Sequence, residues 1–242
     1  MVRILDRECN TILNKFMAQL RDAKVQTDSM RFRRNLERVG EVMAYEISKT
    51  LSYAPRIVET PLGEAEVAMI DDRVVVATIL RAGLPFHQGF LNYFADAQNA
   101  FVSAFRKYSK DGSFKAKVEY MSCCDLTDKV LLLVDPMLAT GTSLVLTYEA
   151  LVAKFGTPKH THIAAVIASE EGLEYVCSNV SKRDVSVWCA SVDEELTVKS
   201  YIIPGLGDAG DLAFGDKLTP RPDVIHNDEE ELDDEVYRPS RE

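Results

Sequence analysis

Residues 129–146, KVLLLVDPMLATGTSLVL, encode a strand, a loop and a helix in one short stretch. The apolar run 130–134 is typical of a strand buried on both faces. The run ends at Asp135, and the apolar spacing after Ser143 is that of a helix. Gly141 allows backbone N–H groups to approach a ligand closely, and the helix presents its positive end there. An acid beside such a cradle indicates a sugar phosphate, because a carboxylate accepts hydrogen bonds from sugar hydroxyls.

Two other interpretations of this stretch were compared with the sugar-phosphate site. An ATP-binding P-loop requires a lysine directly after its last glycine, and Thr142 follows Gly141, which argues strongly against a P-loop. An ordinary strand-to-helix turn, with Thr or Ser as the N-cap, also fits the spacing by itself.

Two further segments combine a strand end with small residues. The apolar run 73–80 ends at Arg81, whose guanidinium can grip a diphosphate, although the segment by itself favours a surface arginine beside a helix N-terminus. Pro85 is expected to open the following helix. The segment 201–210, YIIPGLGDAG, contains G-x-G-x-x-G, but residues 211–223 are predicted to be non-helical, so a dinucleotide-binding fold is rejected. A glycine-rich backbone of this kind suits a flat polar ring.

These three segments resemble motifs of the uracil phosphoribosyltransferase family. DPMLATG resembles the loop that binds phosphoribosyl diphosphate (PRPP), ILRAG the diphosphate loop, and YIIPGLGDAGD the uracil-binding segment. Most relatives in the wider phosphoribosyltransferase group have two acids before the loop, whereas here Val134 precedes a single acid, as in the uracil-specific branch. The resemblance covers residues 1–219 nearly throughout. It implies a type I phosphoribosyltransferase-like fold and the reaction of uracil with PRPP to give UMP and diphosphate.

The resemblance also implies roles for individual residues. Asp135 and Asp208 are the expected catalytic residues. Uracil is expected to contact Ile202, Gly207, Asp208 and Ala209. Mg2+ is expected to arrive with PRPP rather than at a metal site of the protein, because a single acid holds magnesium poorly. The expected PRPP-binding residues are Arg81, Arg106, Asp135, Pro136, Met137, Leu138, Ala139, Thr140, Gly141, Thr142, Ser143 and Asp208.

Arg106 begins a basic segment, RKYSKDGSFKAK at 106–117, after a predicted strand at 100–106. Asp111-Gly112 is a turn signal. A mobile flap over an anion and a solvated hairpin fit these residues equally well. The resemblance assigns Arg106 to the flap and to the diphosphate.

The order of predicted elements indicates an α/β fold. Strands and helices alternate from 73 to 192, with strands at 162–169 and 185–192, which predicts a doubly wound, mainly parallel sheet. Upstream, helices are predicted at 6–22 and 29–50, the second capped by Asp28 or Ser29, and a hairpin at 57–70. The resemblance implies that this hairpin is a protruding β-arm that embraces a neighbouring subunit of a homodimer or homotetramer. It also implies regulation in some members by a nucleotide such as GTP.

Composition argues against several classes of protein, including nucleic-acid-binding, membrane-spanning and disulfide-rich proteins. The net charge of −10 argues against nucleic-acid binding by phosphate neutralisation. The sequence contains no apolar run long enough for a transmembrane helix, so none is expected. The N-terminus is charged and is not a signal peptide, which predicts a cytoplasmic protein. Five cysteines without a C-x-x-C spacing predict reduced thiols, and His160-x-His162 lacks a third nearby metal ligand. Residues 220–242 carry nine acidic residues against three arginines, which predicts a disordered tail after a domain at 1–219.

Two other functions fit the same fold. A non-catalytic regulator would bind nucleotide or RNA without turnover, although the acidic charge and the intact base loop disfavour RNA. An adenine- or hypoxanthine-type transferase is disfavoured by the single acid at Asp135.

Overall fold

The computed structural model describes residues 1–108 and 114–216, without the side chains of residues 104–119. Its N-terminal part packs three helices against the rest of the chain. The predicted helix over 6–22 is wrong as one element, because the Thr11 hydroxyl and the Asn14 side chain each accept a backbone N–H bond and start a new helix there. The helix predicted at 29–50 is confirmed, with Asp28 accepting from the Arg31 N–H at 3.0 Å. These elements are β1 (Val2–Ile4), α1 (Leu5–Glu8), α2 (Ile12–Arg21) and α3 (Ser29–Ser48).

The predicted hairpin follows as a two-stranded antiparallel sheet of its own, β2 (Tyr53–Thr60) and β3 (Gly63–Ile70). It starts earlier than residue 57, because the ladder runs from the Tyr53–Ile70 pair to the Thr60–Gly63 turn. Nearly all of its side chains are exposed, and Leu62 at the tip is 99% exposed. The hairpin therefore projects from the body of the chain.

The main sheet is built from the following segments. Its first half is β4 (Val74–Leu80), α4 (Gly83–Leu91), β5 (Gln98–Tyr108) and β6 (Phe114–Ser122). The second half is β7 (Val130–Val134), β8 (Met137–Leu138), α5 (Thr142–Phe155), β9 (His160–Ser169), α6 (Glu170–Asn179) and β10 (Val185–Asp193). The chain continues through β11 (Glu195–Leu196), β12 (Ile202–Ile203) and α7 (Ala209–Phe214).

The strand order β1-β10-β9-β7-β4-β5-β6 confirms the predicted doubly wound sheet. Every neighbouring pair along it is parallel except β5 and β6. From β4 the chain moves outward to β5 and β6, then returns to the other side of β4 as β7. This reversal is a topological switch point, the place where open α/β sheets bind ligands at the carboxyl ends of their strands.

Both faces of the sheet are covered, as a doubly wound fold requires. On one face Val76 packs in a cluster with Phe86 of α4 and residues of α2 and α3. On the other face Val75 packs in a cluster with Leu144 and Leu151 of α5. Alternate residues of β4 thus enter opposite cores. Within the described ranges, no helix combines the length and the apolar character that crossing a bilayer demands.

Candidate active site

Arg81 and Asp135 follow neighbouring strands at the switch point. β4 and β7 pair in parallel, with Thr78 opposite Val134. Both residues therefore leave the sheet at its carboxyl edge, where open α/β sheets form a ligand-binding crevice at the switch point. Gly83 packs tightly beneath them, because a Cβ there would lie 2.1 Å from the Thr78 hydroxyl oxygen.

Asp135 is half-buried and held by the backbone. Its N–H donates to the Ala164 carbonyl at 3.0 Å, and its Oδ1 accepts the Met137 N–H at 3.3 Å. The segment after it is predicted as loop, but Met137 and Leu138 form β8 beside Ile167 and Ala168 of β9. The reason is that β9 extends beyond β7, and its unpaired backbone groups find partners in the continuing chain.

Residues 139–143 form a tight turn into α5. Gly141 has φ +74° and is the N-cap of α5, whose first turn has no side-chain cap among the described residues. The Thr140 hydroxyl donates to the Thr142 hydroxyl at 3.3 Å, and Ser143 follows in the first helical turn. An uncapped first turn leaves N–H groups and the positive helix end available, which suits a phosphate.

The N-terminus of α6 supports this turn from behind. The Ser169 hydroxyl donates to the Ala139 carbonyl at 2.5 Å and accepts the Gly172 N–H at 2.9 Å. A Cβ on Gly172 would lie 2.0 Å from the Ala139 carbonyl oxygen, and one on Gly141 would lie 2.7 Å from the Gly172 carbonyl oxygen. The two backbones touch here, so the position of the phosphate turn depends on α6. Sequence reasoning missed Ser169 and Gly172.

Arg81 reaches across the crevice to the glycine-rich segment. Its Nη2 lies 2.8 Å from Asp211 Oδ1, and its Nη1 donates to the Gly215 carbonyl at 3.3 Å. Its Nε is buried without a hydrogen-bond partner among the described residues. The side chain is 35% exposed, so the guanidinium is accessible from the crevice while it is anchored to the third motif.

The glycine-rich segment is a turn between β12 and α7. Residues 211–214 were predicted to be non-helical, and this is wrong: Asp208 Oδ1 accepts the N–H groups of Gly210 and Asp211 at 2.8 and 3.0 Å and starts α7. The rejection of a dinucleotide fold stands, because α7 has six residues and leads into no βαβ unit within the described chain. Ile202 and Ala209 are buried, whereas Gly207, with φ +89°, is exposed.

A cleft of about 610 Å³ lies between this turn and the segment that joins α2 to α3. Its wall includes Arg21, Gln26, Leu206, Gly207 and Asp208.

An arginine–aspartate pair lies under the turn. Arg21 at the end of α2 contacts both carboxylate oxygens of Asp193 at the end of β10, at 2.7 and 2.8 Å. Burial raises the pKa of Asp193, but hydrogen bonds from Arg21 and from the Gly205 N–H outweigh it, so the pKa lies below its ordinary value. Sequence reasoning missed this pair, although an acid at a strand end is the signal that identified Asp135.

Arg106 lies in β5, and its side chain is outside the part of the structure that is described. Its backbone pairs with Ala116 of β6, so the basic segment continues an antiparallel hairpin on both sides of residues 109–113. The hairpin interpretation therefore fits the described backbone, and the flap role of Arg106 stays a prediction.

His160 and His162, whose spacing alone gave little support for a metal site, have structural partners. His160 Nε2 lies 2.9 Å from the Ser186 hydroxyl, and the Trp188 indole N–H donates to His162 Nδ1 at 3.1 Å. Burial lowers the pKa of His162 to about 3, so it is neutral at physiological pH. Throughout residues 1–108 and 114–216, no three His, Cys, Asp or Glu side chains are grouped as a metal site. All five cysteines are unpaired.

Known proteins resemble this chain in sequence and in fold. A family model described as uracil phosphoribosyltransferase matches residues 9–216. The uracil phosphoribosyltransferase of Porphyromonas gingivalis is 56% identical over 209 residues, which are 86% of this chain and 96% of that protein. That of Pyrococcus furiosus is 39% identical over 222 residues, 90% of this chain and 93% of its own. The AQ2163 protein of Aquifex aeolicus matches the fold with a TM-score of 0.79 at 26% identity, over 90% of this chain and 100% of its own. The chain belongs to the uracil phosphoribosyltransferase family.

Proposed function

We propose that this protein transfers the phosphoribosyl group of PRPP to N1 of uracil, giving UMP and diphosphate. The observation that supports this most is the meeting of three motifs at one crevice. Arg81 and Asp135 flank the crevice, and the 2.8 Å contact between Arg81 and Asp211 joins it to the glycine-rich turn. A site of this kind can hold a diphosphate, a ribose and a base next to one another.

In this reaction the bond between uracil N1 and C1′ of the ribose forms while the bond from C1′ to the diphosphate oxygen breaks. The N1 proton is released, and positive charge develops on the ribose, as in related sugar-transfer reactions. The protein's work is therefore to align the two substrates and to stabilise the leaving group.

The residues of the PRPP site fall into three groups, according to the part of PRPP that each group binds. Arg81 and Arg106 hold diphosphate oxygens, since a guanidinium forks onto them. Asp135 accepts hydrogen bonds from the ribose hydroxyls and, as an anion, stabilises positive charge on the ring. The uncapped turn at the start of α5 holds the 5′-phosphate. The segment that contributes to this turn comprises Pro136, Met137, Leu138, Ala139, Thr140, Gly141, Thr142 and Ser143.

Uracil binds to the glycine-rich turn. Ile202 and Ala209 are buried and contribute apolar contact and backbone groups, while Gly207 allows the backbone to approach the ring edge. The edge of uracil presents a hydrogen-bond acceptor at O4, a donor at N3–H and an acceptor at O2. Cytosine differs at two of these groups, because it has an amino group at C4 and an acceptor at N3. Each buried protein group that loses its partner costs about 1–3 kcal/mol of binding free energy.

Magnesium fits this site as a companion of PRPP. Mg2+ prefers six oxygen ligands and keeps several waters, and the acid at the phosphate loop is single. Asp208 uses Oδ1 to cap α7, which leaves its second carboxylate oxygen for the waters around the ion. When bound, Mg2+ would neutralise charge on the diphosphate.

The assembly, location and regulation of the protein are further parts of the proposal. The exposed apolar residues of the β2–β3 hairpin, including Ile57, Leu62 and Val67, support an arm that packs on a second copy in a homodimer or homotetramer. The family resemblance supports a cytoplasmic enzyme and regulation by a nucleotide such as GTP. The match over residues 9–216 supports a domain at 1–219 with an acidic tail after it.

The test is the PRPP-dependent conversion of labelled uracil, with cytosine, adenine and hypoxanthine as alternative substrates, with and without GTP. We expect UMP from uracil and little product from the other bases. Binding of PRPP or UMP by calorimetry without any turnover would instead support the non-catalytic regulator. Preferential use of adenine or hypoxanthine would assign the protein to another specificity.

A further inference from the structure

Arg21 and Asp193 form a forked ion pair, and both residues lie outside the three motifs. The Arg21 Nη1 lies 2.7 Å from Asp193 Oδ2 and the Nη2 lies 2.8 Å from Oδ1, which is the bidentate arrangement. Nη2 also donates to the Ser191 hydroxyl at 2.8 Å. The Asp193 carboxylate is only 8% exposed.

Both backbone polar groups of Gly205 bind to this pair. The Gly205 N–H donates to Asp193 Oδ2 at 2.8 Å, and its carbonyl accepts from Arg21 Nη1 at 3.0 Å. Gly205 has φ +59°, and a Cβ there would lie 2.0 Å from the Ile202 carbonyl oxygen. The backbone therefore packs closely on itself at Gly205, the residue that the ion pair holds. Gly205 lies between the proposed uracil contacts Ile202 and Gly207.

Ile202 and Leu206 of the turn pack in the core, but among the described residues its backbone has few other hydrogen bonds at this point. β12 contributes two residues, paired only with Glu195 and Leu196 of β11 in the described chain. A base edge is read by fixed backbone groups, and a displacement of about 1 Å can cost on the order of 100-fold in rate. A charge-assisted hydrogen bond to each of the two peptide groups that flank one residue is a strong way to fix such a backbone.

We propose that Arg21 and Asp193 are positioning residues for the base: they hold the two peptide groups that flank Gly205 so that the turn presents its backbone groups to uracil. This rests on the proposed function, because it assigns the turn to the base. Neither side chain needs to touch the substrate. The pair acts on uracil binding and on the choice between uracil and cytosine, and it leaves PRPP binding largely unchanged.

The first experiment uses the full chain with Arg21→Ala, Arg21→Lys and Asp193→Asn. We expect the KM for uracil to rise by about tenfold or more in Arg21→Ala and Asp193→Asn, and the KM for PRPP to stay within about threefold. Preference for uracil over cytosine should fall. Arg21→Lys should recover only part of the loss, because an ammonium cannot fork onto the carboxylate.

Chemical rescue separates positioning from general packing. The Arg21 side chain is 25% exposed, so free guanidinium can reach the space that Arg21→Ala leaves. Guanidinium at a concentration far below denaturing levels should lower the KM for uracil in this variant and leave the wild type unchanged. Arg34→Ala is the matched control, since it breaks an arginine–glutamate pair whose partners, Glu37 and Glu41, both lie on α3. It should show neither the KM change nor rescue.

Amide hydrogen exchange supplies a readout that is independent of activity. The Gly205 N–H should exchange faster in Asp193→Asn and Arg21→Ala than in the wild type and the Arg34→Ala control. If the wild type does not convert uracil, the proposed function fails, and exchange at Gly205 still decides whether the pair holds the turn. If Arg21→Ala does not fold, Asp193→Asn, which keeps the shape of the side chain, carries the test. An unchanged KM for uracil, or equal rises in both KM values without rescue, would overturn the proposal.

Discussion

Replacing Gly172 by alanine tests how the phosphate turn is supported. Gly172 lies in the first turn of α6, where alanine would normally stabilise a helix by about 1 kcal/mol relative to glycine. Here the new Cβ would lie 2.0 Å from the Ala139 carbonyl oxygen. Carbon and oxygen in contact normally stay about 3.3–3.6 Å apart, so the two backbones must separate by about 1 Å or more. The substitution therefore pushes on the turn that we assign to the 5′-phosphate.

The effects on stability and on catalysis should differ greatly. Overpacking costs about 1–3 kcal/mol, and the helix gain offsets about 1 kcal/mol of this, so unfolding should become easier by at most about 2 kcal/mol. That corresponds to a fall in Tm of less than about 8 °C for a chain of this size. A shift of about 1 Å in a substrate-positioning group can lower the rate about 100-fold. We expect kcat/KM for PRPP to fall by a factor of that order.

The assay is steady-state kinetics with PRPP varied, together with thermal unfolding followed by circular dichroism. Ser178→Ala is the matched control, because it places an alanine on an exposed position of the same helix. Ser169→Ala should have an intermediate effect, since it removes the hydroxyl that donates to the Ala139 carbonyl without adding a clash. A Gly172→Ala enzyme with the wild-type kcat/KM for PRPP would refute the contact between α6 and the phosphate turn as a functional support.

Four further predictions concern other parts of the chain. Asp135→Asn should lower kcat by about 100-fold or more with little change in Tm, because a neutral amide stabilises the charged ribose poorly; wild-type turnover would remove its catalytic role. Gly207→Val should raise the KM for uracil while calorimetry shows near-normal PRPP binding, since φ +89° is unsuited to a β-branched residue. Deleting residues 222–242 should leave kcat and Tm nearly unchanged, because so acidic a composition offers little apolar surface for packing; a dissociated oligomer or halved activity would contradict this. The depressed pKa of Asp193 means that its contribution to stability is complete above the ordinary Asp pKa of 3.8 and is lost as the pH falls through the folded value, so acid unfolding of Asp193→Asn should depend less on pH than that of the wild type.

Several elements were predictable because their signals are local. The apolar runs within β4, β7, β9 and β10 are continuous, and such runs indicate strands buried on both faces. Asp28 starts α3 through a cap that sequence alone reveals. The acid or arginine that follows a buried strand, as at Asp135 and Arg81, predicts a side chain at the carboxyl edge of the sheet.

Other local features were missed because two signals compete over a few residues. The amphipathic spacing of 6–22 favours one helix, but Thr11 and Asn14 form a capping box that ends one helix and starts another. The glycines at 205–210 indicate a loop, but Asp208 caps a short helix within it. In both cases a side chain that binds the backbone outweighs the signal of the surrounding sequence, the hydrophobic spacing in the first and the glycines in the second.

The sequence by itself therefore determined the central strands of the sheet, the three motifs and the family. Only the tertiary structure decided which distant residues support those motifs. Arg21 and Asp193 are 172 positions apart, and no periodicity links them. At position 172, helix propensity and packing favour different residues. Alanine is better in an isolated helix, whereas only glycine fits against the Ala139 carbonyl. The physical reason is that hydrogen-bond forks and backbone contacts depend on where whole elements pack, and that packing depends on the entire core.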